Sequence, residues 1–345
     1  MWVPVRRWIK LSVLGALVLA LVGYCSTPAV RDWWVGREAC GGVFPDGLLD
    51  RIVPDEQRLA EADEQLVGSL GAYRCVVSYA EDDSDEWLLT VSAHTDRDQQ
   101  ELNLRRTFPR GGWSDLRTLP EGLPGFADDF DWVRLFRPCP ALGADEEGRP
   151  RKMLVTATVA RMDDAAASLA LRVAVAVADR ASEQLGCGAE PLRQPEKGVL
   201  DPMEPVSARQ AADTACGAVL PKLPKSTKAA ESGSATGPVQ GCELFVRTEQ
   251  EKQRSPYLSE EELRNPDIGL RAWYGDWSDR LVRRDGKRLG NTVTARCDGE
   301  NANFAGWASD ESGVADGELR DLVLTFAKDR AARRGCTEVR AVQPG

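Results

Sequence analysis

Histidine is almost missing from this chain: His94 is the only one in 345 residues. None of the nine cysteines forms a Cys-x-x-Cys pair either, so no clustered Cys and His ligands mark a zinc site. A Gly-x-Ser-x-Gly elbow is absent, which removes one common signature of a serine hydrolase. The acidic runs 81–86 and 128–131 lack the alternating Asp spacing and central glycine of a calcium loop. Basic charge is in short supply as well, and the net charge is −10. That deficit lies in the first half: residues 38–190 carry 29 acidic and 16 basic side chains, while residues 208–345 carry 21 of each. An acidic surface argues against nucleic acid as a partner. No catalytic residue, cofactor or metal site follows from these residues.

Long apolar runs are also lacking, with one exception at residues 11–25. It is shorter than the ~20 residues of a comfortable spanning helix, but Trp8 and Ile9 extend it and Lys10 can snorkel. Arg6, Arg7 and Lys10 precede it, whereas Arg31, Asp32, Arg37 and Glu38 on the far side cancel. The positive-inside bias predicts a signal anchor, with the N-terminus cytoplasmic and the bulk of the chain extracytoplasmic. The bilayer is then a partner, and Trp33 and Trp34 fall near its outer interface. Two alternatives stay open: secretion after cleavage near Ala29, and lipidation at Cys25 within Val22-Gly23-Tyr24-Cys25.

The remaining cysteines form one framework written twice. Cys40, Cys75, Cys139 and Cys187 make the first set, and Cys216, Cys242, Cys297 and Cys336 the second. Each set opens on Ala-Cys-Gly and closes on a helix-like run ending in Gly-Cys. An even set in an exported chain predicts disulfides. Four cysteines allow three connectivities per repeat. We favour Cys40–Cys75, Cys139–Cys187, Cys216–Cys242 and Cys297–Cys336, which pin the leading segment to the first strand and the final helix to a core strand.

Hydrophobic periodicity fills in each repeat. In the first, helical spacing of Leu59, Ala62, Leu66, Val67 and Leu70 predicts a helix. Strands follow at 72–79, 87–94, 131–139 and 153–160, then a helix over 163–185. In the second, a helix is expected from Ser207 through Cys216, then a loop over 222–241. Strands follow at 242–247, 268–274, 292–297 and 303–308, before a helix over 317–334. The fold class is α+β: two tandem similar domains, each a mostly antiparallel sheet packed with helices, after one N-terminal transmembrane helix. The expected boundaries are 1–30 for the cytoplasmic end and anchor, 38–188 for repeat 1 and 189–206 for a proline-rich linker. Repeat 2 covers 207–337, leaving a tail at 338–345.

A few polar features invite chemistry. His94 ends a strand beside Asp96 and Asp98, as a general base could; a surface histidine is the favoured reading. Trp-Ser-Asp occurs in both repeats, at Trp113 and Trp277, where each indole is a possible ligand-facing group and a structural turn is favoured. Arg283 to Arg288 reads as a hairpin with a basic tip. The anchor, the cysteine order and the closing helices resemble actinobacterial membrane-anchored or lipoprotein-like extracytoplasmic proteins with duplicated cysteine-paired α+β domains. That resemblance implies a sheet covered by helices and carries no catalytic residues. The expected function is an interaction module of the cell envelope with a protein or glycan partner; an envelope hydrolase and a passive structural protein are the alternatives.

Overall fold

The computed structural model describes residues 28–53, 57–81, 84–104, 116–120, 122–128, 132–146, 148–160, 165–199, 204–233, 235–246, 266–275 and 291–342, with three isolated helical positions, Val13, Gly15 and Gly23. They form two seven-stranded antiparallel sheets with a few helices. The fold is α+β, as the hairpin-rich sequence predicts. Among the described residues no helix is long and apolar enough to cross a membrane. The expected anchor falls almost wholly outside them.

The first repeat opens with α1 (Pro28–Glu38) and the short α2 (Leu48–Ile52). Proline suits the first turn of α1, where its missing N–H has no acceptor to lose. Next comes β1 (Arg58–Val67), not the helix predicted there. Helical spacing misleads because β1 is an edge strand. Only Leu59 and Ala60 are buried, while Leu66 and Val67 lie exposed, so no buried face imposes a period of two. β2 (Ala72–Glu81) and β3 (Ser84–His94) complete a meander. The chain then passes through α3 (Arg97–Leu104), β4 (Arg117–Thr118) and β5 (Gly125–Ala127). β6 (Val133–Pro138), β7 (Lys152–Val159) and α4 (Ala166–Gln184) close the repeat.

The second repeat begins with β8 (Val206–Ser207) and turns, where a helix was expected. Thr214 interrupts that helix: its hydroxyl donates to the Ala211 carbonyl at 2.7 Å and accepts from the Cys216 amide at 3.2 Å. Such local side-chain bonds compete with helical ones. The expected loop contains β9 (Lys228–Gly233) and the start of β10 (Val239–Phe245). β11 (Ile268–Tyr274), β12 (Thr292–Cys297), β13 (Glu300–Ala308) and α5 (Asp316–Arg333) match their predicted segments closely. Residues 338–345 were expected as a tail, but β14 (Thr337–Val342) pairs with β12.

These differences make the repeats more alike. Sheet order is β1-β2-β3-β7-β6-β5-β4 in one and β14-β12-β13-β11-β10-β9-β8 in the other. Strands β1-β2-β3-β7-β6 therefore correspond to β9-β10-β11-β13-β12. The registers agree from the second cysteine outward. Glu64, Cys75, Val91 and Ala157 form one rung; Glu231, Cys242, Leu270 and Gly306 form its counterpart.

All four disulfides pair as favoured: Cys40–Cys75, Cys139–Cys187, Cys216–Cys242 and Cys297–Cys336. They indicate an oxidising compartment. The doubled Ala-Cys-Gly now has a packing reason. Ala39 and Ala215 are fully buried beside their cysteines. Gly41 sits at φ +76° with the Arg180 guanidinium where a Cβ would stand, and a Cβ on Gly217 would meet the Ala212 carbonyl oxygen.

Each sheet has two buried faces. In β7, Met153, Val155, Ala157 and Val159 join the core cluster that includes α4, and Leu154 and Thr156 turn the other way. In the second repeat, α5 packs on Cys242, Leu270 and Phe304. The remaining faces meet: Phe126, Phe136 and Leu154 bury with Val239, Trp273 and Ala305 in one cluster. Residues 189–199 are not a free spacer, because Leu192 N bonds the Asp179 carboxylate at 3.0 Å and Val199 N the Ser168 hydroxyl at 3.1 Å, both on α4.

Candidate functional site

Two regions bring chemically useful groups together. The first is the layer where the sheets meet. Arg134, almost fully buried, reaches the Asp128 carboxylate at 2.7 Å. Arg271 contacts Glu243 at 2.8 Å and donates to the Ser232 hydroxyl at 3.0 Å. Asp128 also accepts from the Trp132 amide at 3.0 Å, so it is a buried structural acceptor rather than a solvated turn. Residues 129–131 lie outside the described residues. A lone arginine on a strand reads as solvent-facing; the second sheet covers these two, and carboxylates answer their charge.

His94 lies at one end of this layer, in a rung with Leu154 and opposite Ala72. Gln100 Nε2 donates to the backbone oxygens of His94 at 2.8 Å and Lys152 at 2.7 Å, tying β3 to β7. Lys152 pairs with Glu300, so a cation of the first repeat meets an anion of the second. Burial lowers the imidazole pKa against the opposing pull of Asp96. Asp96 does not orient the ring by an observed bond; its carboxylate accepts from the Gln99 amide at 3.0 Å and caps α3. Among the described residues no carboxylate bonds the His94 ring to orient it, as the general-base reading needs. Nearby, Asp145 resists protonation. Burial favours its neutral form, but bonds from the Arg149 amide and guanidinium, with the Arg97 charge, outweigh that and hold its pKa down.

The second region is a groove of about 980 Å³ between α1, α2 and β1. Phe44, Leu49 and Leu59 supply apolar surface, and Asp32, Asp46 and Asp50 bring carboxylates. Arg37 lies over the Trp33 ring at 5.0 Å. Arg31 donates to the Ala60 carbonyl at 2.9 Å and fixes α1 along β1. Sequence reading did not find this groove. Its lining spans residues 32–59, and only the folding of α1 back onto the edge strand gathers it.

Trp113 and Trp277 both lie outside the described residues, as does the basic hairpin 283–288. Their places in the chain order still inform. Among the described residues the two repeats share one crossover, from β3 to β6 around β7 and from β11 to β12 around β13, and the second repeat adds another from β13 to β14 around β12. Trp113 and Trp277 belong to these corresponding connections. Leu104 and Leu116, which flank the first, are both buried in the inter-sheet cluster, as is Trp273 before the second. Among the described residues no group of three His, Cys, Asp or Glu could hold a metal ion. Comparison with family models, curated proteins and solved structures finds no match.

Proposed function

We propose that this chain is a membrane-anchored interaction module of the cell envelope, with both repeats on the extracytoplasmic side. The groove between α1, α2 and β1 carries the reading. It mixes apolar and carboxylate groups in a volume suited to a ligand segment, and its lining begins at Asp32, seven residues past Cys25 at the end of the apolar run. Trp33 and Trp34 lie 54% and 51% exposed just beyond that run, as indoles do at a membrane interface. Val13, inside the run, is helical and exposed, which suits a side chain facing lipid. The four disulfides agree with export. Trp113 and Trp277, on corresponding crossovers, are second-rank candidates for ligand contact, and the partner is an envelope protein or glycan.

The test is photo-crosslinking in intact cells from positions lining the groove, followed by membrane fractionation. A specific adduct formed from Phe44 but not from Leu102 on α3, in the membrane fraction, is the expected result. Recovery of the chain in the soluble fraction, or the same adducts from both positions, overturns the reading.

A further inference from the structure

We propose that the groove receives a cationic amphipathic segment of a protein partner. This rests on the interaction reading above and narrows it to one chemistry. Of the groove-lining residues only Arg37 is basic, and its guanidinium is engaged over the Trp33 ring. The carboxylates of Asp32, Asp46 and Asp50 make no hydrogen bond or ion pair with any described residue. A second, smaller hollow of about 290 Å³ adjoins it, sharing Arg37 and Gly42 and bounded by Trp34 and Glu38. The lining is thus apolar in its floor and acidic at its rim.

That pattern is the complement of a segment with an apolar stripe and basic flanks. Amphipathic helices dock in this way, with apolar anchors in the groove and charges along its rim. The acidic excess of residues 38–190 adds long-range attraction for a cation. A second copy of this repeat is the wrong partner, because it brings the same negative field. A neutral glycan is disfavoured, since Arg37 already occupies a face of Trp33, the indole at the rim.

The experiment uses the full chain in neutral detergent micelles and a fluorescent Leu–Lys amphipathic peptide carrying a photo-crosslinker. A Leu–Glu peptide of the same pattern and a chitin oligosaccharide serve as competing probes. Binding is followed by anisotropy at low and physiological salt. The Leu–Lys peptide should bind, weaken with salt, and label residues 32–59. Combined Asp32→Asn, Asp46→Asn and Asp50→Asn should weaken it at least about tenfold. Neutralising Glu86, Glu146 and Glu204 to Gln, an equal charge change at exposed sites elsewhere, should weaken it less than about twofold. Equal losses from the two variants, labelling outside 32–59, or competition by the Leu–Glu peptide or the oligosaccharide overturns the proposal. The result is separate from anchoring: a soluble chain that still binds the Leu–Lys peptide would refute the anchor and keep the groove.

Discussion

Aligned on their second cysteines, the two repeats keep the same five strands, the same two disulfides and the same closing helix. They differ in everything that surrounds that frame. The first repeat gains β4 and β5 beyond β6 and builds an acidic groove under α1 and α2. The second gains β14 beyond β12, replaces α1 with turns, and holds balanced charge. Even the shared rung differs where helix meets sheet. Ala157 lies beneath an alanine-rich α4, whereas Gly306 opens space for Val323 and Leu319 of α5. Helix and sheet trade volume to keep contact, as close-packed interiors require. The five-strand frame is what the two copies share, and most of their divergence lies at its edges and loops.

Disulfide removal carries the largest expected cost in either repeat. Replacing Cys139 and Cys187 by Ala opens a 48-residue separation and should cost about 4 kcal/mol in the chain-entropy model; Cys216 and Cys242 span 26 residues and should cost about 3.5 kcal/mol. Urea titrations of both variants check the order, and a larger loss in the second repeat would show that local packing, not loop closure, ranks them.

The rung equivalence predicts a smaller effect. A Cβ on Gly306 would stand 2.4 Å from Val323 Cγ2 and 2.9 Å from Leu270 Cδ2. Gly306→Ala should destabilise by about 1–3 kcal/mol through overpacking. Ala157→Gly should cost about 1 kcal/mol by losing a buried methyl and freeing the unfolded chain. A stabilising Gly306→Ala would break the pairing of α5 with a glycine floor.

His94 gives the smallest and most selective difference, since only the first repeat has a histidine. Burial depresses its native pKa below the ordinary 6.5, so the unfolded chain takes up the proton first. Stability is therefore full above that value and declines as pH falls through it. Thermal unfolding at pH 7.5 and 5.5 should show a drop that His94→Gln reduces. Asp145 is also depressed, but its contribution is lost only in acid, as pH falls from the ordinary carboxylate value through the depressed one, and does not enter this window. An unchanged drop in the variant would assign the effect to other groups.

The central strands and the closing helices were legible because each has a buried face that repeats along the chain; the cysteine order signalled disulfides but left three connectivities per repeat, and only the fold selects the observed one. β11 pairs on both sides and its burial is continuous from Ile268 to Tyr274. β1 and β9 were not legible. β1 leaves most side chains in solvent, and β9, Lys228-Ala229-Ala230-Glu231-Ser232-Gly233, has no β-branched residue to announce a strand. The groove was invisible for a different reason, since its lining residues converge only when α1 folds back on β1.

By itself, then, the sequence determined that two disulfide-linked α+β copies follow an apolar segment, because cysteine order and hydrophobic period are local signals written along the chain. Tertiary structure alone decided that the sheets meet face to face, that Arg134 and Arg271 are buried there with carboxylate partners, and that an acidic groove opens beside α1. Each of these depends on which face a distant element covers. A single strand or helix carries no record of its future neighbour, so burial of charge and the shape of a site appear only with the fold.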